Sequence, residues 1–364
     1  MPGIYHKIKK PFKVYLILIT SLSFAIFLLS TFGDYPKLVE QYYTNGFYRI
    51  LSLIGHPIIK LIPFSLGDVI YMLIIILMVY VIIIVIYAFI KKRFLSAGIL
   101  GLRLILGIEI FIVLFYMLWG LNYSRPSASE LLGLRDSTFT TVELKNVTAQ
   151  LIDSANACRD RLTQADLLQN NKVIYTNACK AIHSLSAKNS IFKTYSPGVK
   201  SSIITPLINY MGTAGYFNPL TGEAQINSQM PVFTRPVVAC HEMSHQIGFA
   251  AEDEANFVGY LAGIGSNDHL LRYSAYQLAV GEFMHALYLK DSLINKALKP
   301  RLNKKVHEDF IAERNYWRYY QGKLNKISGI FYDGFLKANK QPQGIDTYNK
   351  MVVLVMAMHK AKKD

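Results

Sequence analysis

Charge is scarce in this chain: Asp, Glu, Lys and Arg supply 17% of its 364 residues, against 52% hydrophobic. That balance excludes a protein that is water-soluble along its whole length. Cysteine is nearly absent, with only Cys158, Cys179 and Cys240, and no two form a CxxC pair, which excludes a thiolate zinc site. Cys158 and Cys179 lie in adjacent predicted helices, and either pair in an oxidising compartment or stay as buried free thiols. The net charge is +15, yet no Arg-rich stripe interleaves with aromatics and no nucleic-acid module is present, so nucleic acid is excluded as a partner. Repeats and low-complexity segments are missing too.

The scarcity of charge is uneven. Residues 1–121 hold 11 Lys/Arg and 4 Asp/Glu with almost all the long apolar runs, and residues 122–364 hold 28 and 20. The second part is long enough to bury its own core. Three runs are long enough to cross a bilayer, at about 14–32, 66–90 and 97–121. Ser30–Asp34 after the first has no small-x-small cleavage site, so an uncleaved anchor is expected. Trp119 and Tyr123 close the third as an aromatic pair at a lipid–water interface. The apolar stretch Ile50–Ile62, broken by Gly55, His56 and Pro57, reads as interfacial.

Lys7, Lys9, Lys10, Lys13 and the group Lys91–Arg93 with Arg103 fall on one side of a three-span arrangement. The positive-inside rule puts that side, with the N-terminus, in the cytoplasm and residues 122–364 outside it, with membrane lipid as a partner. Glu109 lies within the third span, where an acid is either functional or a protonated contact between helices; no partner can be named from sequence.

Thr141–Leu162, capped by Thr140 or Thr141, and about Asn171–Leu185 show helical patterns. Residues 214–227 read as a hairpin with Asn218–Gly222 as its turn. Pro236 suits the first turn of a helix that ends at Gly248, because its missing N–H is not needed there. Further helices are expected over 252–264, 268–289, about 303–337 and about 346–361.

The helix opened by Pro236 carries His241-Glu-Met-Ser-His245. Residues four apart share a helix face, so both imidazoles can reach one ion, and Glu242 falls beside the ion as a general base. Zinc lowers the pKa of water towards neutrality, and an adjacent carboxylate takes the proton. A catalytic zinc needs a third protein ligand, and Glu252 and Glu254 follow at a suitable distance. Two helical residues point about 200° apart, so only one can face the metal. Ala255, Asn256, Gly259 and Gly263 lie on the face of Glu252 and permit close approach to the histidine helix. Phe257, Val258 and Leu261 lie on the face of Glu254. This favours Glu252, with Asn256 one turn on, accepting from a ligating histidine.

His-Glu-x-x-His followed by Glu252-x-x-Ala255-Asn256 resembles the gluzincin metallopeptidases, although those with membrane spans carry Asp where Asn256 stands. The resemblance implies a zincin-like fold, a Zn2+ cofactor and a peptide or protein substrate. More widely, the chain resembles an uncharacterised bacterial membrane-protein family, a domain of unknown function. The matching segments are the N-terminal spans, Trp119–Arg125, the Gly215–Asn227 hairpin, His241–Ala262 and Gln343–Tyr348. That implies the bacterial cytoplasmic membrane as location and gives no substrate.

The expected fold is therefore a membrane α-helical N-terminal region plus a mainly α (α+β) zincin-like domain with a small β hairpin. Ala224, Gln225, Ile226 and Asn227 are candidates for an edge strand that pairs with extended substrate, unless the hairpin only packs on the helix. Tyr273, Tyr276 and Tyr348, with Arg272, have the chemistry of oxyanion donors. His269 and His285 read as ordinary histidines. The functions to weigh are a zinc metallopeptidase, a membrane sensor with a peptidase-like domain, and a non-catalytic zinc scaffold. An intact Glu242 argues against the scaffold, and cytoplasmic segments too short for an output module argue against the sensor. The sequence leaves oligomeric state open.

Overall fold

The computed structural model describes residues 2–134, 138–342, 344 and 351–361. Among them, three helices are long and apolar enough to cross a membrane, over Phe12–Gly33, Leu66–Ile90 and Phe94–Leu118. In lipid a backbone must satisfy its own hydrogen bonds, so runs rich in Ile and Val become helices there despite their strand propensity. They belong to α1 (Pro2–Gly33), α3 (Leu66–Ile90) and α4 (Phe94–Leu118), with α2 (Tyr48–Lys60) between the first two. Glu109 on α4 has a partner after all: Ser23 Oγ on α1 donates to its Oε1 at 2.6 Å.

Two expectations about this region are corrected. Gly55, His56 and Pro57 do not break the Ile50–Ile62 stretch, because α2 runs through all three. It buries Tyr48, Ser52 and His56 and exposes Ile50, Leu53, Ile54 and Ile58. The third span begins and ends about three residues early, at Phe94 and Leu118, and Gly120–Ser124 form a 3-10 turn. Trp119 is only 4% exposed and packs into the protein, so it is no lipid-interface residue.

The remainder is mostly helical, with a three-stranded sheet. Thr140, not Thr141, caps α5 (Thr141–Asp160), through a reciprocal capping box with Glu143. α6 (Asn171–Lys188) follows. Next come β1 (Val199–Ser201), α7 (Thr205–Met211), β2 (Gly215–Asn218) and β3 (Glu223–Ile226), then α8 (Arg235–Gln246) and α9 (Glu252–Ile264). α10 (His269–Lys290), α11 (Lys304–Tyr320), α12 (Lys323–Ala338) and α13 (Met351–Ala361) complete the chain. The helix expected over 303–337 is thus two, parted at Gln321 and Gly322, where a helical glycine would cost about 1 kcal/mol. Leu144, Ile152, Met243, Phe257, Val258, Ala279 and Phe283, from four of these helices, meet in the main core. Cys158, Cys179 and Cys240 are free thiols.

The sheet order is β1-β3-β2, with β1 parallel and β2 antiparallel to β3. The N-terminal end of α3 is bonded into it. Asp68, fully buried, accepts from Ser202 Oγ at 3.0 Å, the Ile203 N–H at 2.9 Å and the Tyr216 hydroxyl. Glu223 accepts the free N–H groups of Leu66 and Gly67 and takes Lys200 Nζ at 2.6 Å. The first turn of a helix leaves donors unsatisfied, and a strand carboxylate satisfies them here.

Glu282 on α10 and Glu313 on α11 are both raised to about 7 by burial. A carboxyl held neutral in the fold but ionising near 4.5 when unfolded stabilises the protein fully below that value. The contribution disappears as pH rises through about 7. Thermal unfolding of the wild type in detergent should therefore fall between pH 5 and 8 more steeply than that of the double variant Glu282→Gln/Glu313→Gln. Parallel profiles would remove the claim.

Candidate metal centre

Pro236 lies in the first turn of α8, and the helix stops where Gly248 turns to φ +94°. A side chain at Gly248 would be strained and would press on Asn122 Oδ1 at 3.0 Å. The tight turn lets α9 begin at Glu252, whose first turn holds Glu252, Asp253 and Glu254, acids that suit a helix N-terminus. α9 then packs closely on α8: a Cβ at Gly259 would lie 3.2 Å from the His241 backbone nitrogen. Gly263 belongs to a different contact, against Ala275 and Leu271 of α10, and does not serve the histidine helix.

This packing brings His241, His245 and Glu252 together, with one ligand atom from each within 4.8 Å of the others. All three are buried. His241 Nε2 is 3.1 Å from Glu252 Oε2, and His245 Nε2 is 3.9 Å from Oε1. The other ring nitrogens are occupied: His241 Nδ1 lies 2.7 Å from Asn256 Oδ1, and His245 Nδ1 lies 2.6 Å from the Phe249 carbonyl. Both acceptors hold an Nδ1–H and so turn each Nε2 towards Glu252. Glu254 points away and accepts the Ala128 N–H at 2.6 Å.

Burial disfavours a charged His241, but the hydrogen bond to Glu252 and the charge of Glu242 prevail and raise it to about 9. Burial also opposes ionisation of Glu252. There the hydrogen bond from His241 and the charges of both histidines win, and Glu252 is held at about 2. His245 is lowered to about 4, chiefly by burial. Burial raises Glu242 to about 8. Its Oε2 is buried without a hydrogen-bond partner among the described residues. A Cβ at Gly215 of β2 would lie 2.7 Å from its Oε1.

The expected substrate strand needs correction. β3, with Ala224, Gln225, Ile226 and Glu223, is paired on both sides, so it offers no edge, and Asn227 beyond it bonds Asn209 and the Ala214 carbonyl. The edge beside Glu242 is β2. Tyr273 is also displaced: fully buried, it donates to Asp309 Oδ2 at 2.6 Å, in a cluster with Arg159 and away from the histidines. Arg272 donates to the Ser266 carbonyl, and Tyr276 stacks edge-on against Tyr260. Tyr348 lies outside the described residues. His269 faces Asp166 and His285 is exposed, neither near the cluster.

Sequence reasoning missed two contributors. Tyr332, on α12 and 80 residues from Glu252, donates its hydroxyl to Glu252 Oε1 at 2.5 Å. Trp119, just past α4, donates Nε1 to the His245 carbonyl at 2.9 Å and meets the His245 ring edge-on. No local spacing signals either; only the aromatic enrichment of 119–125 and 330–335 hinted at packing there.

Two imidazole nitrogens and a carboxylate, converging with their outer atoms held, form the donor set a catalytic zinc takes, with Glu242 beside it. No curated protein and no solved structure matches the chain. The family model "Protein of unknown function (DUF3810)" matches residues 43–356, most of the chain, and the chain belongs to that family.

Proposed function

We propose that this chain is a membrane-anchored, zinc-dependent metallopeptidase with a zincin-like catalytic region. The observation that carries the reading is the convergence of His241, His245 and Glu252, with the Glu242 carboxylate, whose Oε2 has no hydrogen-bond partner among the described residues, next to them. In this reading His241 Nε2, His245 Nε2 and Glu252 hold Zn2+. Bound there, zinc would polarise a scissile carbonyl and acidify water.

The chain's own residues do the rest. An extended peptide adds to the free edge of β2, which leaves its scissile bond beside Gly215 and Glu242. Glu242 takes the proton from the attacking water and passes it to the leaving amine. Tyr332, whose hydroxyl already reaches the cluster, donates to the oxyanion. Asn256 and the Phe249 carbonyl keep the histidines in register. The positive-inside rule supports a site outside the cytoplasm, and the family resemblance supports a bacterial cytoplasmic membrane.

The test uses full-length protein in detergent. Elemental analysis should find one zinc per chain, and cleavage of unfolded casein should stop with a chelator and return with zinc. Absence of stoichiometric metal would sink the reading; zinc without cleavage of any substrate would favour a scaffold. Tyr332→Phe should keep the zinc and lower kcat about 10²-fold or more, with KM little changed. An unaltered kcat would remove Tyr332 from the chemistry.

A further inference from the structure

Among the described residues, one helix face has no protein partner to cover it. α12 shows Leu324, Ile327, Ile330, Phe331 and Phe335 to the outside, with Ile330 and Phe331 73% and 76% exposed. Positions 324, 327, 331 and 335 follow the three- and four-residue spacing of a single stripe. The other side of the helix is fixed on the protein. Leu336 is fully buried, Asn325 donates to the Met211 carbonyl at 3.3 Å, and Tyr332 holds Glu252.

The stripe is continuous with the spans. The Phe335 ring lies 5.9 Å from that of Phe115, one turn before the end of α4, and 6.0 Å from Tyr123. Just beyond α12, Lys340 Nζ donates to the Gly33 carbonyl at 2.6 Å, the last residue of α1. The C-terminal end of α12 is therefore fastened where two apolar helices stop, and Phe331 is one turn back from Phe335. Lys323 and Lys326 stand exposed at its other end.

We propose that the apolar stripe of α12 is a lipid-binding surface: it lies in the headgroup region of the bilayer that the three spans cross. An amphipathic helix with an aromatic and aliphatic face and flanking lysines binds such an interface, its apolar side buried about 5–10 Å. A second copy would need to dock on a stripe that ends at the last turn of α4, where Leu114 and Met117 are exposed on the apolar span. The bilayer already reaches that border, and the lysines suit anionic headgroups. Because Tyr332 is on the same helix, the site is held at the membrane surface, and the substrate is a peptide segment close to the bilayer. The proposal rests on the membrane reading of the spans; its lipid contact does not depend on peptidase activity.

The test places a bimane label at Phe331→Cys in the full-length Cys179→Ser protein, in vesicles of phosphatidylcholine and phosphatidylglycerol. Lipid carrying a spin label near the headgroup should quench the fluorescence at least twofold, and aqueous iodide should not. Ile330→Cys serves as a second probe, in case the first variant folds poorly. Iodide quenching without lipid quenching would overturn the proposal, and shielding from both quenchers would overturn it in favour of a second copy. A control label at Ile76→Cys, midway along α3, should respond to a spin label deep in the acyl chains. Its failure to respond would remove the membrane reading and this proposal together. None of these outcomes bears on zinc content or casein cleavage, which test the peptidase reading separately.

Discussion

Glu242→Gln should leave one zinc per chain and lower peptide hydrolysis by about 10²- to 10⁴-fold. The carboxamide matches the carboxylate in shape, so the contacts at Gly215 and the approach of α9 to α8 persist. It cannot take a proton. The three proposed ligands keep their atoms and their outer hydrogen bonds, so metal affinity has no reason to change. Glu252→Gln should behave differently. It replaces the acid that both histidines face with a weaker ligand, so zinc and activity should fall together. Elemental analysis with casein cleavage on the same preparations separates the two. Cleavage by Glu242→Gln at the wild-type rate would end the general-base assignment.

The second large effect is structural. Asp68→Ala should destabilise the full-length protein by about 3–5 kcal/mol, the range for breaking a buried charged network. The variant removes the shared acceptor of Ser202 Oγ, the Ile203 N–H and the Tyr216 hydroxyl; the two hydroxyls keep their 2.8 Å bond to each other, which satisfies one donor and leaves two unmatched. Each buried donor left unmatched costs about 1–3 kcal/mol. Thermal unfolding in detergent should drop by roughly 10 °C, and Asp68→Asn, which keeps one acceptor, should drop less. Tyr216 adjoins Gly215, so the damage should also reach Glu242 and lower activity. An Asp68→Ala protein that unfolds within about 2 °C of wild type would show that this junction bears little of the fold's stability.

Much of this was legible in the sequence because it depends on local chemistry. Pro236 and Gly248 bound the histidine helix, Thr140 and Thr141 announce a cap, and Asn218–Gly222 turn a hairpin. The choice of Glu252 over Glu254 rested on the small residues of one helix face, and Gly259 does permit the close approach expected of it. What escaped was contact across long separations. A hairpin pattern cannot say that β1 will pair with β3 and move the free edge to β2. Nothing near Ser65–Asp68 marks a span whose first turn bonds to strands more than 130 residues later. The aromatic at 119 was read from hydropathy as a lipid-interface residue, when its indole N–H finds the last turn of α8. Tyr332 was one of 24 tyrosines, and only tertiary structure separates it from the rest.

The bond from Trp119 to the His245 carbonyl has a consequence for biosynthesis. The chain emerges from the ribosome spans first, so Asp68 and Trp119 exist before any residue of the sheet or of α8. On this layout the early, inserted portion is the template on which the later portion closes. The last turn of α8, which carries His245, is completed only by a bond to a residue made 126 positions earlier.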